Sequence, residues 1–118
     1  MNIEELRDCC LSLPNVEECL PFDNNTPVYK IGGKMFAFFG LEYAENEQFV
    51  NLKGEQEKSI TLREEYEGIQ PAYHMNKSHW NSVFLQRDVP DRLIKELISD
   101  SYSLVFNKLT KQIKQTLL

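Results

Sequence analysis

Leu93, Ile94, Leu97, Ile98, Ser101, Leu104, Val105 and Leu109 recur at three- and four-residue steps. This stripe predicts one long C-terminal helix with a wide buried face. Asp88 or Pro90 opens it, since proline is favoured in a first helical turn. Fraying is expected past Leu109, where Lys111 and Lys114 suit the negative end of the helix dipole. A helix with so broad an apolar face needs a layer to lie on, and the rest of the chain supplies strands.

The clearest of these form a hairpin. Val28-Tyr29-Lys30-Ile31 and Lys34-Met35-Phe36-Ala37-Phe38-Phe39 flank Gly32-Gly33, and two glycines between β-prone runs suit a two-residue turn of positive φ. In that register Ile31 pairs with Lys34 and Lys30 with Met35. Lysine therefore alternates between faces, and the hairpin alone makes no basic stripe. Gln48–Lys53 reads as a third strand, after a polar, acidic loop from Gly40 to Glu47. Ser82-Val83-Phe84-Leu85 reads as a further strand, and Pro71 restricts its neighbourhood to a strand start or a sheet edge.

Two more helices are expected. Asn2 with Glu5 has the spacing of a capping box, and Ile3, Leu6, Cys10 and Leu13 mark one face of an N-terminal helix that Pro14 ends. Asn15 with Glu18 repeats the cap signal and predicts a short helical turn before Pro21. Glu55 to Glu67 reads as a helix with Ile60, Leu62 and Tyr66 inside and Gly68 as its stop. The expected fold is an α+β two-layer sandwich: an antiparallel sheet with helices packed on one face, an N-terminal helix and a long C-terminal helix. At 118 residues the chain is expected to form one domain, 1–118, large enough to bury a core without metals or disulfides.

No apolar run approaches a membrane span, and the acidic start Met1-Asn2-Ile3-Glu4-Glu5 has no signal-peptide core, so a cytoplasmic protein is expected. Three cysteines, Cys9, Cys10 and Cys19, form neither a disulfide framework nor a C-x-x-C motif. On a helix Cys9 and Cys10 point about 100° apart, so one is buried and one sits at a boundary. The net charge of −5 opposes strong non-specific nucleic-acid binding. The charge is uneven, however. Residues 1–25 carry six acids and one arginine, whereas 91–118 carry five bases and three acids. A local basic patch stays open.

Both histidines and the only tryptophan fall in Tyr73-His74-Met75-Asn76-Lys77-Ser78-His79-Trp80-Asn81. His74 reads first as a structural hydrogen-bonding residue. As a general base it lacks partners, and with His79 it makes only two of the ligands zinc needs. No metal or cofactor is expected. Trp80 is a core or boundary anchor, or else a stacking surface. Asn76 and Asn81 suit turns, although asparagine also reads adenine. No nucleophile elbow, Walker loop or dinucleotide fingerprint is present, so an enzyme is not expected.

Several segments carry a family resemblance. They are Pro21-Phe22-Asp23, the hairpin from Val28 to Ala37, Asn51-Leu52-Lys53, the run Tyr73 to Val83, and Ser101-Tyr102-Ser103-Leu104-Val105. In this order and spacing they resemble the MmcQ/YjbR-like family over nearly the whole chain. The resemblance implies a compact α+β fold of the CyaY-like type, likened to a double-wing DNA-binding motif. Asp23 departs from the glycine that many members carry there and adds a negative charge near the first turn.

Two readings follow. One is a small binding module that contacts double-stranded DNA through Lys34, Lys53, Lys77 and the segment with His74, Asn76, His79 and Trp80. The other is a protein- or small-ligand-binding adaptor using the His74–Trp80 segment. A deep apolar pocket there would favour a small ligand, and an exposed apolar patch a protein.

Overall fold

The computed structural model describes residues 1–20, 26–42, 46–73 and 75–117. Helix α1 (Ile3–Leu11) opens on the expected capping box. Asn2 Oδ1 accepts from the Glu5 N–H at 2.8 Å, and the Glu5 carboxylate accepts from the Asn2 N–H at 3.3 Å. The helix buries Leu6 and Cys10 and leaves Cys9 half-buried, as the angular separation of the two thiols requires.

The short helical turn expected at Asn15–Glu18 is instead a strand, β1 (Glu17–Cys19), paired antiparallel with β2 (Val28–Ile31). Asn15 sits at φ 62°, outside the helical basin, and its side-chain amide donates to the Leu117 carbonyl rather than capping a turn. The Glu18 carboxylate accepts from Arg7 at 2.9 Å and from the Tyr29 hydroxyl at 2.8 Å.

Strand β3 (Lys34–Glu42) completes the hairpin, with Gly32 at φ 58° and Gly33 at φ 80°. The register is Ile31↔Lys34 and Lys30↔Met35, as expected. It then shifts, so that Tyr29 faces Ala37. Phe36 is the extra residue of this bulge, and both Phe36 and Ala37 enter the core. β3 also runs on through Gly40, where the sequence reads as a loop, to meet β4 (Glu47–Lys53). Gly40 belongs in the strand because the Phe49 ring lies across it. A Cβ there would come within 2.4 Å of that ring.

Helix α2 (Gln56–Glu65) departs from its expected face. Ser59 is buried, Leu62 and Tyr66 pack on the core, and Ile60 is 46% exposed. Ser59, Leu62 and Tyr66 share a face at three- and four-residue steps, and Ile60 lies about 100° away from Ser59. The helix stops at Tyr66, not at Gly68. The Gly68 and Glu67 N–H groups instead donate to the Asp88 carboxylate at 2.7 and 2.8 Å.

Strands β5 (Ile69–Pro71) and β6 (Trp80–Phe84) complete an antiparallel sheet of order β1-β2-β3-β4-β6-β5. Pro71 lies on an edge strand, where its missing N–H costs no ladder bond. β6 begins at Trp80, two residues before the expected strand. Helix α3 (Asp91–Asn107) has Pro90 at its N-cap position. It does not fray past Leu109. It ends at Asn107, and Thr110 caps a separate α4 (Lys111–Thr116) by accepting from the Ile113 N–H.

Cross-strand partners share a face. Tyr29, Ala37, Leu52 and Asn81 form one row across the sheet, and Phe39, Val50, Val83 and Ile69 the next. The apolar members of these rows pack with Leu6, Cys10, Ile94, Leu97, Ile98 and Val105 in one core. The opposite face carries Val28, Phe38, Asn51, Ser82 and Gln70 in register, with Ser82 Oγ donating to Asn51 Oδ1 at 2.6 Å. The architecture is the α+β sandwich that the sequence predicts.

Candidate functional site

One end of the sheet gathers most of the residues singled out above. The Gly32-Gly33 turn, the C-terminal end of β4, the start of β6 and the end of α3 all lie there. The turn is tucked beneath the α3–α4 junction, since a Cβ on Gly32 would meet Leu109 at 2.7 Å and Ile113 at 2.9 Å. Lys34 is exposed beside this turn.

Lys53 is held from its backbone. Its N–H donates to Ser101 Oγ at 2.9 Å, and Ser101 Oγ donates to the Phe36 carbonyl at 2.6 Å. Ser101 is fully buried and bridges β3 and β4 where their ladder ends at Ala37↔Leu52. Its neighbour Tyr102 donates its hydroxyl to the Pro14 carbonyl at 2.7 Å, tying α3 to the end of α1.

Lys108, exposed at the end of α3, is the nearest charge acting on the half-buried Lys53. Burial first, and then the charge of Lys108, hold the Lys53 pKa below the ordinary lysine value. Among the described residues neither lysine has an ion-pair partner. Across the ladder Lys53 pairs with half-buried Trp80.

The segment before β6 is a tight turn built on Asn76. Its carbonyl accepts from the His79 and Trp80 N–H groups at 3.0 and 2.9 Å, and its Oδ1 accepts from the Ser78 N–H at 3.0 Å. That is the turn role expected of asparagine. The His79 carbonyl accepts from the Gly54 N–H at 2.8 Å, which anchors the turn to the end of β4, while the residue itself is exposed. Lys77 Nζ lies 4.9 Å from the Tyr73 ring centroid. His74 lies outside the described residues, and so do Pro21, Phe22 and Asp23.

Asn81 is not a turn residue. It is a strand residue on the helix side of the sheet, 6% exposed. Sequence reasoning missed its partner, Arg63 on α2. Arg63 Nε donates to Asn81 Oδ1 at 2.6 Å, and an Arg63 terminal nitrogen donates to the Lys77 carbonyl at 2.6 Å. One guanidinium thus fastens the 76–80 turn to α2. Nothing in the local sequence marks it, because its partners are 14 and 18 residues away.

Lys34, Lys53, Lys77, Lys108, Lys111 and Lys114 all come to this end. At the other end Arg87 is bound by Glu47 at 2.6 and 2.7 Å and by Glu67 at 2.7 Å, near Asp88 and the start of α3 at Asp91. The chain is acidic in total, but six of its nine lysines lie toward this pole, beside Glu55 and the Lys58–Asp100 pair.

Beside Lys53, a cleft of about 440 Å³ opens between α2 and α3 above β4 and β6. Leu52, Leu62, Val83, Leu97 and Leu104 give it apolar walls, and the Lys58–Asp100 pair at 2.9 Å links its two helices. The cleft lies on the helix side of the sheet, lined by Asn81 and Lys53 rather than by the Trp80 indole. Among the described residues no group of three His, Cys, Asp or Glu side chains is placed to hold a metal, and no helix is long and apolar enough to cross a membrane.

The YjbR family model matches residues 11–104. The chain belongs to the YjbR family. Among YjbR-family relatives, the uncharacterized protein YbdF of Escherichia coli O157:H7 is 39% identical over 109 residues, 92% of this chain and 88% of that protein. The uncharacterized protein YjbR of Escherichia coli K12 is 31% identical over 117 residues, 99% of this chain and 98% of its own length. The crystal structure of the Deinococcus radiodurans protein DR2400, with a DUF419 domain, superposes with a TM-score of 0.86 at 35% identity. It covers 98% of this chain and 87% of that one. A Pseudomonas syringae crystal structure gives 0.79 at 28% identity, covering 89% and 99%. The family resemblance seen in the sequence is thereby shown, and the two solved structures share its α+β fold.

Proposed function

We propose that this YjbR-family protein is a cytoplasmic binding module, not an enzyme, and that it contacts the phosphate backbone of nucleic acid, duplex DNA in the first instance. The observation that carries this reading is the convergence of Lys34, Lys53, Lys77, Lys108, Lys111 and Lys114 at one end of a chain whose net charge is −5. These lysines come from the hairpin turn, the end of β4, the 76–80 turn, the end of α3 and α4. Phosphates attract such a cluster by Coulomb forces and by releasing condensed counterions. The acidic remainder keeps the rest of the surface off the duplex, so the contact is limited to one pole. Asn76 is committed to its turn. Trp80 and His79 stand beside Lys53 and Lys77, where they border the phosphates rather than read base edges.

The test is fluorescence anisotropy of a labelled mixed-sequence duplex at salt concentrations from about 50 to about 200 mM, the range over which phosphate contacts are lost. Lys34 and Lys77 are exposed, so the Lys34→Ala/Lys77→Ala protein folds normally. Its log–log salt slope is expected to be shallower by about two, one for each lost phosphate contact. Equal affinity and slope in the variant and the parent, or no binding by either at the lowest salt, rejects the reading.

A further inference from the structure

We propose that the cleft between α2 and α3 is a binding site for a small organic acid, a compact apolar body carrying one carboxylate or sulfonate. This reaches beyond the nucleic-acid reading and does not depend on it. The cleft's volume of about 440 Å³ lies within the range of small-molecule sites, about 300 to 1,000 Å³.

Two small residues border the cleft where α2 begins, Gly54 just before the helix and Ser59 on its buried face. Gly54 and Ser59 approach so closely that a Cβ on Gly54 would sit 2.8 Å from Ser59 Oγ. α2 buries only Ser59 fully, and Leu62 and α3 Leu104 are left half-buried on either side. The hydrophobic effect rewards covering these walls with an apolar body.

Charge selects the head group. The lining holds four charged side chains: Lys53, Glu55, Lys58 and Asp100. Lys58 and Asp100 neutralise each other at 2.9 Å. Glu55 is exposed to solvent. Lys53 remains, half-buried, and burial first and then the nearby charge of Lys108 make its ammonium costly to keep charged. An anion seated against Lys53 offsets its charge in a site partly screened from water, where the attraction is stronger than at an open surface, and Lys108, exposed just outside the lining, adds to the pull. Asn107 and Ser103 border the same opening and offer polar groups to the head. A neutral apolar molecule fills the walls but leaves the Lys53 ammonium uncompensated, and an inorganic anion does the reverse.

The probe is 8-anilinonaphthalene-1-sulfonate, followed by its fluorescence and by methyl-resolved NMR. N-phenyl-1-naphthylamine serves as the uncharged counterpart. Saturable one-to-one binding is expected, with shifts at the methyls of Leu52, Leu62, Val83, Leu97 and Leu104. Ser103→Trp, which fills the opening from an exposed position, is expected to abolish binding, and Asn107→Trp is the second plug should the first not fold. Lys108→Met is expected to weaken the sulfonate by about tenfold, the scale of a hydrogen bond to a charged group, and to leave the uncharged naphthylamine unchanged. Shifts scattered over other surfaces, binding that survives a folded plug variant, or equal loss of both probes in Lys108→Met overturns the proposal. Duplex binding is read separately by the salt slope of the Lys34→Ala/Lys77→Ala protein, so either site can fail without the other.

Discussion

Ser101 shows how much one side chain decides. It occupies a position of the helical stripe that the sequence reads as core, and it is fully buried there. A serine, and not a leucine, belongs at this point because β3 and β4 part beyond Ala37↔Leu52. The Lys53 N–H and the Phe36 carbonyl then need a partner, and one hydroxyl serves both. Ser101→Ala removes the donor and the acceptor together and leaves the buried Phe36 carbonyl and the part-buried Lys53 N–H without this partner. The expected loss is about 1–3 kcal/mol in urea unfolding. A loss indistinguishable from zero would mean that the two groups pair with each other or with water once the hydroxyl is gone. Asn76 was legible at the same scale, because its side chain bonds two residues along the chain. Asn81 was not, because its partner is Arg63 on another element.

At the scale of elements, the hairpin was legible down to the register of the two pairs beside its turn, since both signals lie within the turn itself. Gly32 and Gly33 both hold positive φ, yet their surroundings differ. A Cβ at Gly33 meets nothing within 4 Å, whereas at Gly32 it would press on Leu109 and Ile113. Gly33→Ala is therefore expected to cost about 1 kcal/mol from backbone strain alone. Gly32→Ala adds an overpacking cost of about 1–3 kcal/mol where the turn meets the α3–α4 junction. Thermal unfolding of the two variants compares them directly, and equal melting temperatures would show that α4 yields freely to the turn. The missed elements have the opposite origin. β1 is only three residues long and carries no strand pattern of its own, so its pairing with β2 decides its state. The continuation of β3 through Gly40 depends on the Phe49 ring, which comes from the neighbouring strand.

At the scale of the whole molecule, the charge separation also shapes the response to acid. The Gly68 and Glu67 N–H groups hold the Asp88 carboxyl below its ordinary pKa, and the Arg87 guanidinium does the same for Glu47. Both groups have lower pKa values folded than unfolded, so in acid the unfolded chain binds more protons. Their stabilisation is complete above the unfolded carboxylate values and is lost as pH falls through the folded ones. Urea unfolding repeated between neutral pH and about pH 3, below the ordinary carboxylate pKa, is expected to show a falling acid limb. Asp88→Asn should make that limb shallower while lowering stability at neutral pH. An acid limb of unchanged slope in the variant would assign the pH dependence to other carboxylates.

The parts of the fold with local causes follow from the order of the residues alone. These are the capping box at Asn2 and Glu5, the two-glycine turn with its register, the buried and boundary cysteines, and the apolar stripe that makes α3. Each rests on groups a few residues apart, which a linear reading can pair. The family resemblance was legible for the same reason, being carried by short runs in order. Tertiary structure alone decided the bulge at Phe36, the Arg63 clasp on the 76–80 turn, the approach of Lys53 to Lys108, and the cleft beside them. Their causes are contacts between distant segments: where two strands part, where a helix ends, and how closely two helices pack. The pole of lysines belongs to this second class, because charges scattered along an acidic chain become one surface only when antiparallel pairing returns their segments to the same end of the sheet.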